Sequence, residues 1–222
     1  MSLERMRRVR YTAAIFDFDG TIAQTDPGVI GSARYALERM NWPDPGDGVL
    51  RGFLGPALYW SFEHLCGMDH DQASQALTYY RQDYSARGMF DIRIYDGLPE
   101  LLRSLRSAGI YVAVASGKPD EFLKPILEKF GLLALVDAAA GPLEESTTTD
   151  KSAEILRVLP FGAARERCCM IGDRRYDIEA GRGLGLKTAG VTWGYGALEE
   201  FALADFTADT PGALQAYLTG EA

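Results

Sequence analysis

The sequence predicts an α/β fold: a parallel sheet covered on both faces by helices and interrupted by an inserted helical block. Three observations predict it. Short apolar runs at Tyr11–Phe16, Ile110–Ala115, Cys168–Ile171 and Lys187–Val191 alternate with stretches of helical period, the pattern of strand–helix–strand units. Roughly residues 27–95 break that alternation and carry helical periodicity throughout. Acids and a hydroxyl stand directly after the apolar runs, where open parallel sheets bind their ligands.

Taken in order, Tyr11–Phe16 is a buried strand ending abruptly at Asp17-Phe18-Asp19-Gly20-Thr21. Asp26-Pro27 predicts a helix start, with the acid as N-cap, and Val29, Ala33, Ala36, Leu37 and Met40 supply its apolar face. Residues 41–56, rich in Pro and Gly, read as loop. Leu58, Phe62 and Leu65 predict a second helix, and Ala73, Ala76, Leu77, Tyr80 and Tyr84 a third. Leu98, Leu101, Leu102, Leu105 and Ala108 form a helix face closed by Gly109. The strand Ile110–Ala115 runs into Ser116-Gly117-Lys118-Pro119. A helix through Phe122, Leu123, Ile126, Leu127 and Phe130 ends at Gly131, and Pro125 should kink it or delay its start. Leu135–Ala140 reads as a strand, Lys151–Leu159 as a helix preceded by Asp150, and Cys168–Ile171 as a strand running into Gly172-Asp173. Tyr176–Gly181 begins a helix, and Lys187–Val191 is the next strand. Ala204–Phe206 and Ala213–Tyr217 suggest a last strand and helix.

Composition excludes several classes. The 222 residues carry a net charge of −8, which repels nucleic-acid phosphate and argues against duplex binding. A small anionic substrate is still compatible, because a metal ion can invert the field inside a cleft. Three cysteines, two of them adjacent, and two histidines offer neither a disulfide framework nor a zinc site. Reduced thiols fit a cytoplasmic location. The basic stretch Arg5–Arg10 lacks the apolar run of a signal peptide, and no run of about 18 apolar residues spans a membrane.

The chemistry-bearing residues gather at one edge of the predicted sheet. Asp17 and Asp19 follow the first strand, Ser116 the second, and Asp173 the fourth, with Asp177 one helical turn later; Lys151 opens a helix after the third. Residues two apart in an extended segment point the same way, so Asp17 and Asp19 repel unless a cation or proton lies between them. Hard carboxylate oxygens of this kind hold Mg²⁺, which keeps a substrate phosphate among its ligands. Taken singly, Ser-Gly is a common turn, a helix-start lysine is usually solvated, and Gly-Asp before a helix is an ordinary cap. The string Asp17-x-Asp19-Gly20-Thr21 arises by chance in well under about 1% of chains of this size.

These residues resemble the motifs of the haloacid dehalogenase (HAD) superfamily of phosphohydrolases: Asp17–Thr21 the first, Ser116 the second, Lys151 the third and Gly172-Asp173-x-x-x-Asp177 the fourth. The resemblance spans residues 12 to about 195. Phe53-Leu54-Gly55-Pro56, Tyr95-Asp96-Gly97, Phe130-Gly131 and Trp193-Gly194-Tyr195-Gly196 resemble the phosphoglycolate phosphatase and 5′-nucleotidase branch. The resemblance implies a Rossmann-like core at residues 1–26 and 96–222 with a helical-bundle cap at 27–95. It implies Asp17 as nucleophile, Asp19 as general acid and base, and Ser116 and Lys151 as phosphoryl ligands, assisted by the backbone of Phe18, Asp19 and Gly117. It implies Mg²⁺ held by Asp17, the Asp19 carbonyl and Asp173, with Asp177 orienting that set. Arg51, together with Tyr59 and Trp60, is a candidate for selecting the substrate; Arg174 and Arg175 flank the acid motif, and His64 and His70 receive no role.

Three other readings stay open here: a β-phosphoglucomutase-like phosphotransfer, metal-free dehalogenation and a receiver-like phosphorylation switch. The expected partner is a small phosphate ester, such as phosphoglycolate or a nucleoside 5′-monophosphate, with no nucleic acid and no membrane. A monomer or homodimer is expected.

Overall fold

Ala13–Phe16 forms the first strand, β1, and all four of its residues are fully buried. A strand buried on both faces belongs at the centre of a sheet. It lies there in the computed structural model, which describes residues 9–143 and 149–221, so that residues 5–8 of the basic stretch fall outside the described residues. After β2 (Ala23–Gln24) and β3 (Arg93–Ile94) come β4 (Tyr111–Ala115), β5 (Ala138–Ala140), β6 (Cys168–Gly172), β7 (Lys187–Val191) and β8 (Phe206–Ala208). The main sheet has the order β5-β4-β1-β6-β7-β8, and β2 pairs with β3 in a separate two-stranded sheet. Every pairing in the main sheet is parallel, with Phe16 opposite Val114 on one side and Ile171 on the other. Strand order reverses at β1, so the ends of β1, β4 and β6 meet at the topological switch point.

The helices are α1 (Asp26–Arg39), α2 (Asp47–Leu50), α3 (Leu58–Cys66), α4 (His70–Ala86), α5 (Leu98–Ser107), α6 (Asp120–Lys129), α7 (Ser152–Val158), α8 (Arg175–Gly183) and α9 (Pro211–Thr219). The chain divides into two compact units, one containing residues 9–23, 94–143 and 150–221, the other Gln24–Arg93.

In the sheet-bearing unit, one face of the core joins Ala13 and Ile15 of β1, Ala113 and Ala115 of β4 and Met170 of β6 to Ile155 and Val158 of α7 and Ala180 of α8. The alternate strand residues face the other way. There α5 packs on β4, α9 on β8, and the two helices on each other. Leu98, Leu101, Leu102 and Leu105 of α5 are buried, each contributing about 1.5–3 kcal/mol. Cys168 and Cys169 are both buried and free, because adjacent strand residues point to opposite faces.

In the helical unit, α1 packs on α4 and α4 on α3. Tyr80 and Tyr84 stack at 5.3 Å, and Phe62 meets Tyr80 edge-on. Ser32, fully buried in α1, donates to Asp83 Oδ2 at 2.8 Å. Gly28 is required by close approach, since a Cβ there would lie 2.0 Å from the Gly88 carbonyl oxygen.

Some local expectations shift. The first helix is capped at Thr25 rather than Asp26; Asp26 instead meets the positive end of the helix dipole from within the first turn. Residues 41–56 hold α2 and a 3₁₀ turn at Arg51–Phe53, pieces too short for a periodic signal. The expected strand Leu135–Ala140 is a 3₁₀ turn ending at Leu135 followed by β5. Pro125 lies inside α6 without delaying its start at Asp120.

The start of α4 is fixed by a reciprocal pair: Gln72 N–H donates to Asp69 Oδ1 at 2.9 Å, and Asp69 N–H to Gln72 Oε1 at 3.0 Å. Asp69→Ala should cost about 1 kcal/mol, read as a lower urea midpoint at constant slope; an unchanged midpoint would refute the cap's contribution.

Candidate active site

Asp17 continues β1, its N–H donating to the Ile171 carbonyl of the neighbouring strand at 2.8 Å. Its side chain is almost fully buried. Oδ1 accepts from the Phe18 N–H at 2.7 Å, and Oδ2 lies 2.6 Å from Lys151 Nζ. Lys151 stands at the N-terminus of α7 and also reaches Asp177 Oδ1, at 2.7 Å. Asp177, in the first turn of α8, is wholly buried, and its Oδ2 accepts the Arg174 N–H at 3.1 Å. Gly172 permits this approach; a Cβ there would sit 2.1 Å from the Asp177 carboxyl carbon. Asp173, also wholly buried, follows β6 and accepts from the Tyr195 N–H at 2.7 Å and the Thr21 hydroxyl at 3.4 Å.

Asp17, Asp173 and Asp177 therefore converge, each offering an oxygen within 4.8 Å of the others. Burial, first of all, pushes the Asp17 pKa well up, and Asp177, Asp173 and Asp19 add to it against the pull of Lys151. Burial and then Asp177 raise Asp173 to about 7, opposed by the Tyr195 N–H, Lys151 and Arg174. Burial works against the Lys151 ammonium, but the charges of Asp17 and Asp177 outweigh it and hold its pKa above the ordinary lysine value.

Among the described residues these three buried carboxylates have one ammonium, that of Lys151, in direct contact. An all-oxygen, electron-rich donor set of this kind fits a hard divalent cation such as Mg²⁺, which would return Asp173 to its ionised form. Asp17, Asp173 and Asp177 could together hold such an ion. The Asp19 carboxylate lies outside this cluster. Its Oδ1 is buried and accepts no hydrogen bond among the described residues, and the Lys118 ammonium stands 3.1 Å away. Ser116, likewise buried, accepts the Lys118 N–H at 3.1 Å through Oγ. A Cβ on Gly117 would lie 3.8 Å from Lys151 Cε, so the second and third motifs adjoin.

Arg51, on the 3₁₀ turn Arg51–Phe53, and Trp60, on α3, are exposed residues of the helical unit, and Tyr59 pairs with His70 Nδ1 there. Arg174 pairs with Glu200 at 3.2 Å. Lys118 and Thr21 carry contacts that sequence reasoning did not assign, although both stand inside quoted motifs. Their signal was position alone: each lies within two residues of a residue that was assigned.

The loop bearing Ser116 and Lys118 is braced from behind by Asp120. This carboxylate accepts from the Gly141 N–H at 2.6 Å, Lys124 at 2.7 Å and Arg157 at 3.0 Å. Burial pushes the Asp120 pKa up, but those donors outweigh it and hold it below the usual carboxylate range.

Known proteins are similar to this chain in sequence and fold. The family described as haloacid dehalogenase-like hydrolase matches residues 14–191. A Pseudomonas aeruginosa protein named 5′-nucleotidase is 34% identical over 193 residues, covering 86% of this chain and 87% of its own. The Mycobacterium tuberculosis tyrosine-protein kinase PtkA is 34% identical over 188 residues, 82% of this chain and 62% of its own length. The structure of the haloacid dehalogenase-like hydrolase SP0104 from Streptococcus pneumoniae superposes with a TM-score of 0.86 at 26% identity, over 94% of this chain and 98% of that one.

Two outcomes are expected. Mg²⁺ at about a hundredfold excess over its Kd should stabilise the chain by about 2.7 kcal/mol, and Asp173→Asn should abolish that gain in a thermal melt; an equal gain in the variant would exclude Asp173 as a ligand. For Asp120, the folded pKa lies below the unfolded value of about 3.9, so its stabilisation is full above that value and is lost as pH falls through the folded pKa. Asp120→Asn should be less stable than wild type at pH 6 in urea, with the gap closing towards pH 2. A gap independent of pH would contradict this.

Proposed function

The chain belongs to the haloacid dehalogenase-like hydrolase family, and on that footing we propose that it is a Mg²⁺-dependent phosphomonoesterase working through an aspartyl-phosphate on Asp17. The observation that carries this reading is the buried Asp17 carboxylate, within 4.8 Å of two further acids and 2.6 Å from Lys151 Nζ. A nucleophile in that setting is held by a rigid strand end, and cations nearby favour its ionised form.

Asp17 attacks phosphorus in line with the leaving oxygen; the P–O bond to the leaving group breaks as the Asp17–phosphorus bond forms. Asp19 gives its proton to the leaving oxygen. A water then attacks phosphorus, Asp19 takes the proton from it, and Asp17 is released with inorganic phosphate. Asp19 stays outside the Asp17–Asp173–Asp177 cluster, which leaves its carboxyl free for proton transfer. The Lys118 ammonium stands 3.1 Å from that carboxyl. Ser116, Lys151 and the backbone of Phe18, Asp19 and Gly117 stabilise the phosphoryl oxygens. Mg²⁺, when bound by Asp17 and Asp173 with the Asp19 carbonyl, supplies neutralising charge at those oxygens. Asp177, engaged by Lys151 and the Arg174 N–H, orients the set.

The substrate is a small phosphate ester; a nucleoside 5′-monophosphate gains support from the 5′-nucleotidase relative, and phosphoglycolate from the motifs beyond the catalytic four. Arg51 is retained as a candidate for substrate selectivity. The test is phosphate release across a panel of nucleoside 5′-monophosphates, phosphoglycolate and sugar phosphates, with Mg²⁺ or EDTA. Asp17→Asn should lower turnover by at least about a thousandfold with its circular dichroism spectrum unchanged. Hydrolysis that survives EDTA, or that Asp17→Asn sustains at the wild-type rate, defeats the proposal. Transfer of phosphate to a sugar hydroxyl in place of water would favour the phosphotransfer alternative.

A further inference from the structure

The loop after β7, Thr192-Trp193-Gly194-Tyr195-Gly196, belongs to none of the four motifs, yet it closes a ring of hydrogen bonds around Asp173. Tyr195 N–H donates to Asp173 Oδ2 at 2.7 Å, and the Thr21 hydroxyl donates to Oδ1 at 3.4 Å. The Trp193 indole N–H donates to the Thr21 carbonyl at 3.0 Å. The ring thus runs from the Thr21 hydroxyl to Asp173, through Tyr195 along the loop to Trp193, and back to Thr21. Each oxygen of the Asp173 carboxylate is fixed by its own donor, and the loop that supplies one of them is tied to the residue that supplies the other.

Glycines let the ring close around the carboxylate. A Cβ on Gly20 would fall 2.1 Å from Asp173 Oδ2; on Gly194, 2.3 Å from Asp173 Cβ and 2.4 Å from the Gly20 carbonyl oxygen; on Gly196, 1.9 Å from the Asp173 carbonyl oxygen. The loop, the Gly20-Thr21 turn and Asp173 are therefore packed to a distance that no side chain fits. Thr21 and Asp173 are fully buried, so the Thr21 carbonyl, deprived of the indole, would lack a buried donor that water does not readily replace. Trp offers a donor and no acceptor, which makes this bond a one-way tether.

We infer that Trp193 is a positioning residue for the divalent cation: its indole N–H fixes the loop whose backbone orients Asp173, and so pre-sets that carboxylate relative to the turn that follows Asp17. The inference rests on the Mg²⁺ reading proposed above. Groups that orient a metal ligand from behind typically contribute about tenfold or more in affinity, and an effect of that kind falls on metal binding rather than on the chemical step.

The test is Mn²⁺ binding to the full chain, followed by the paramagnetic resonance signal of free Mn²⁺, in wild type and in Trp193→Phe, which keeps an aromatic ring and removes the donor. The Kd should rise about tenfold. The Mg²⁺ concentration for half-maximal phosphate release should rise by the same factor, while turnover at saturating Mg²⁺ stays close to wild type. Thr21→Val, which removes the donor to Oδ1, should weaken Mn²⁺ binding in the same direction and covers the case in which Trp193→Phe does not fold. A folded Trp193→Phe, or failing that a folded Thr21→Val, that binds Mn²⁺ as tightly as wild type overturns the ring while leaving the proposed function intact. A wild-type chain that binds no Mn²⁺ overturns both.

Discussion

A single ammonium, Lys151, lies between two buried carboxylates, 2.6 Å from Asp17 and 2.7 Å from Asp177, while Asp173 crowds the same space, relieved by two hydrogen-bond donors and by the charges of Lys151 and Arg174. Burying like charges together is costly, and a lone ion pair seldom recovers its own desolvation. The arrangement is therefore one that a structure built for stability alone would not favour. The acids stand where regular backbone puts them: Asp17 and Asp173 directly follow β1 and β6, and Asp177 lies in the first turn of α8. The raised proton affinities of Asp17 and Asp173 follow first from burial and then from the neighbouring acids.

Rigidity and charge are coupled through close approach. Gly172 lets the Asp177 carboxylate lie against the end of β6, and Gly20, Gly194 and Gly196 let two loops clamp Asp173. Each absent side chain brings a polar group nearer than any substituted backbone would allow. Asp19 is handled differently. It is kept out of the acid cluster and placed beside Lys118, so two aspartates separated by one residue enter distinct electrostatic environments. That divergence supports the proposal of a bond-forming role for one and a proton-carrying role for the other.

Much of this was legible in the sequence. The strands at β1, β4, β6 and β7 announce themselves as apolar runs, and the rule that ligands lie beyond the carboxyl ends of parallel strands directs attention to Asp17, Ser116 and Asp173 before any coordinate is known. The helices of the insertion were visible because Ala73, Ala76, Tyr80 and their like recur at helical spacing. What escaped was tertiary. The Lys118–Asp19 pair joins residues on different strand ends, and nothing in Ser-Gly-Lys-Pro marks its lysine as buried. The indole of Trp193 reaches a carbonyl 172 positions earlier, a pairing no local pattern encodes. Short pieces such as α2 and the 3₁₀ turn at Arg51–Phe53 give less than two turns of periodicity, and the Gly and Pro around them read as loop.

The two-stranded sheet has a consequence for how such a chain is put together. β2 and β3 mark the points where the polypeptide leaves the parallel sheet's unit and returns to it, and they are hydrogen-bonded neighbours. Paired strands lie about 4.8 Å apart, a gap that a tight turn spans as readily as a run of four helices does. The sheet-bearing unit thus sees the same two anchor points whatever is strung between them. A segment mounted this way can change in length without moving the strand ends that anchor it, because the pairing of β2 with β3 fixes their separation.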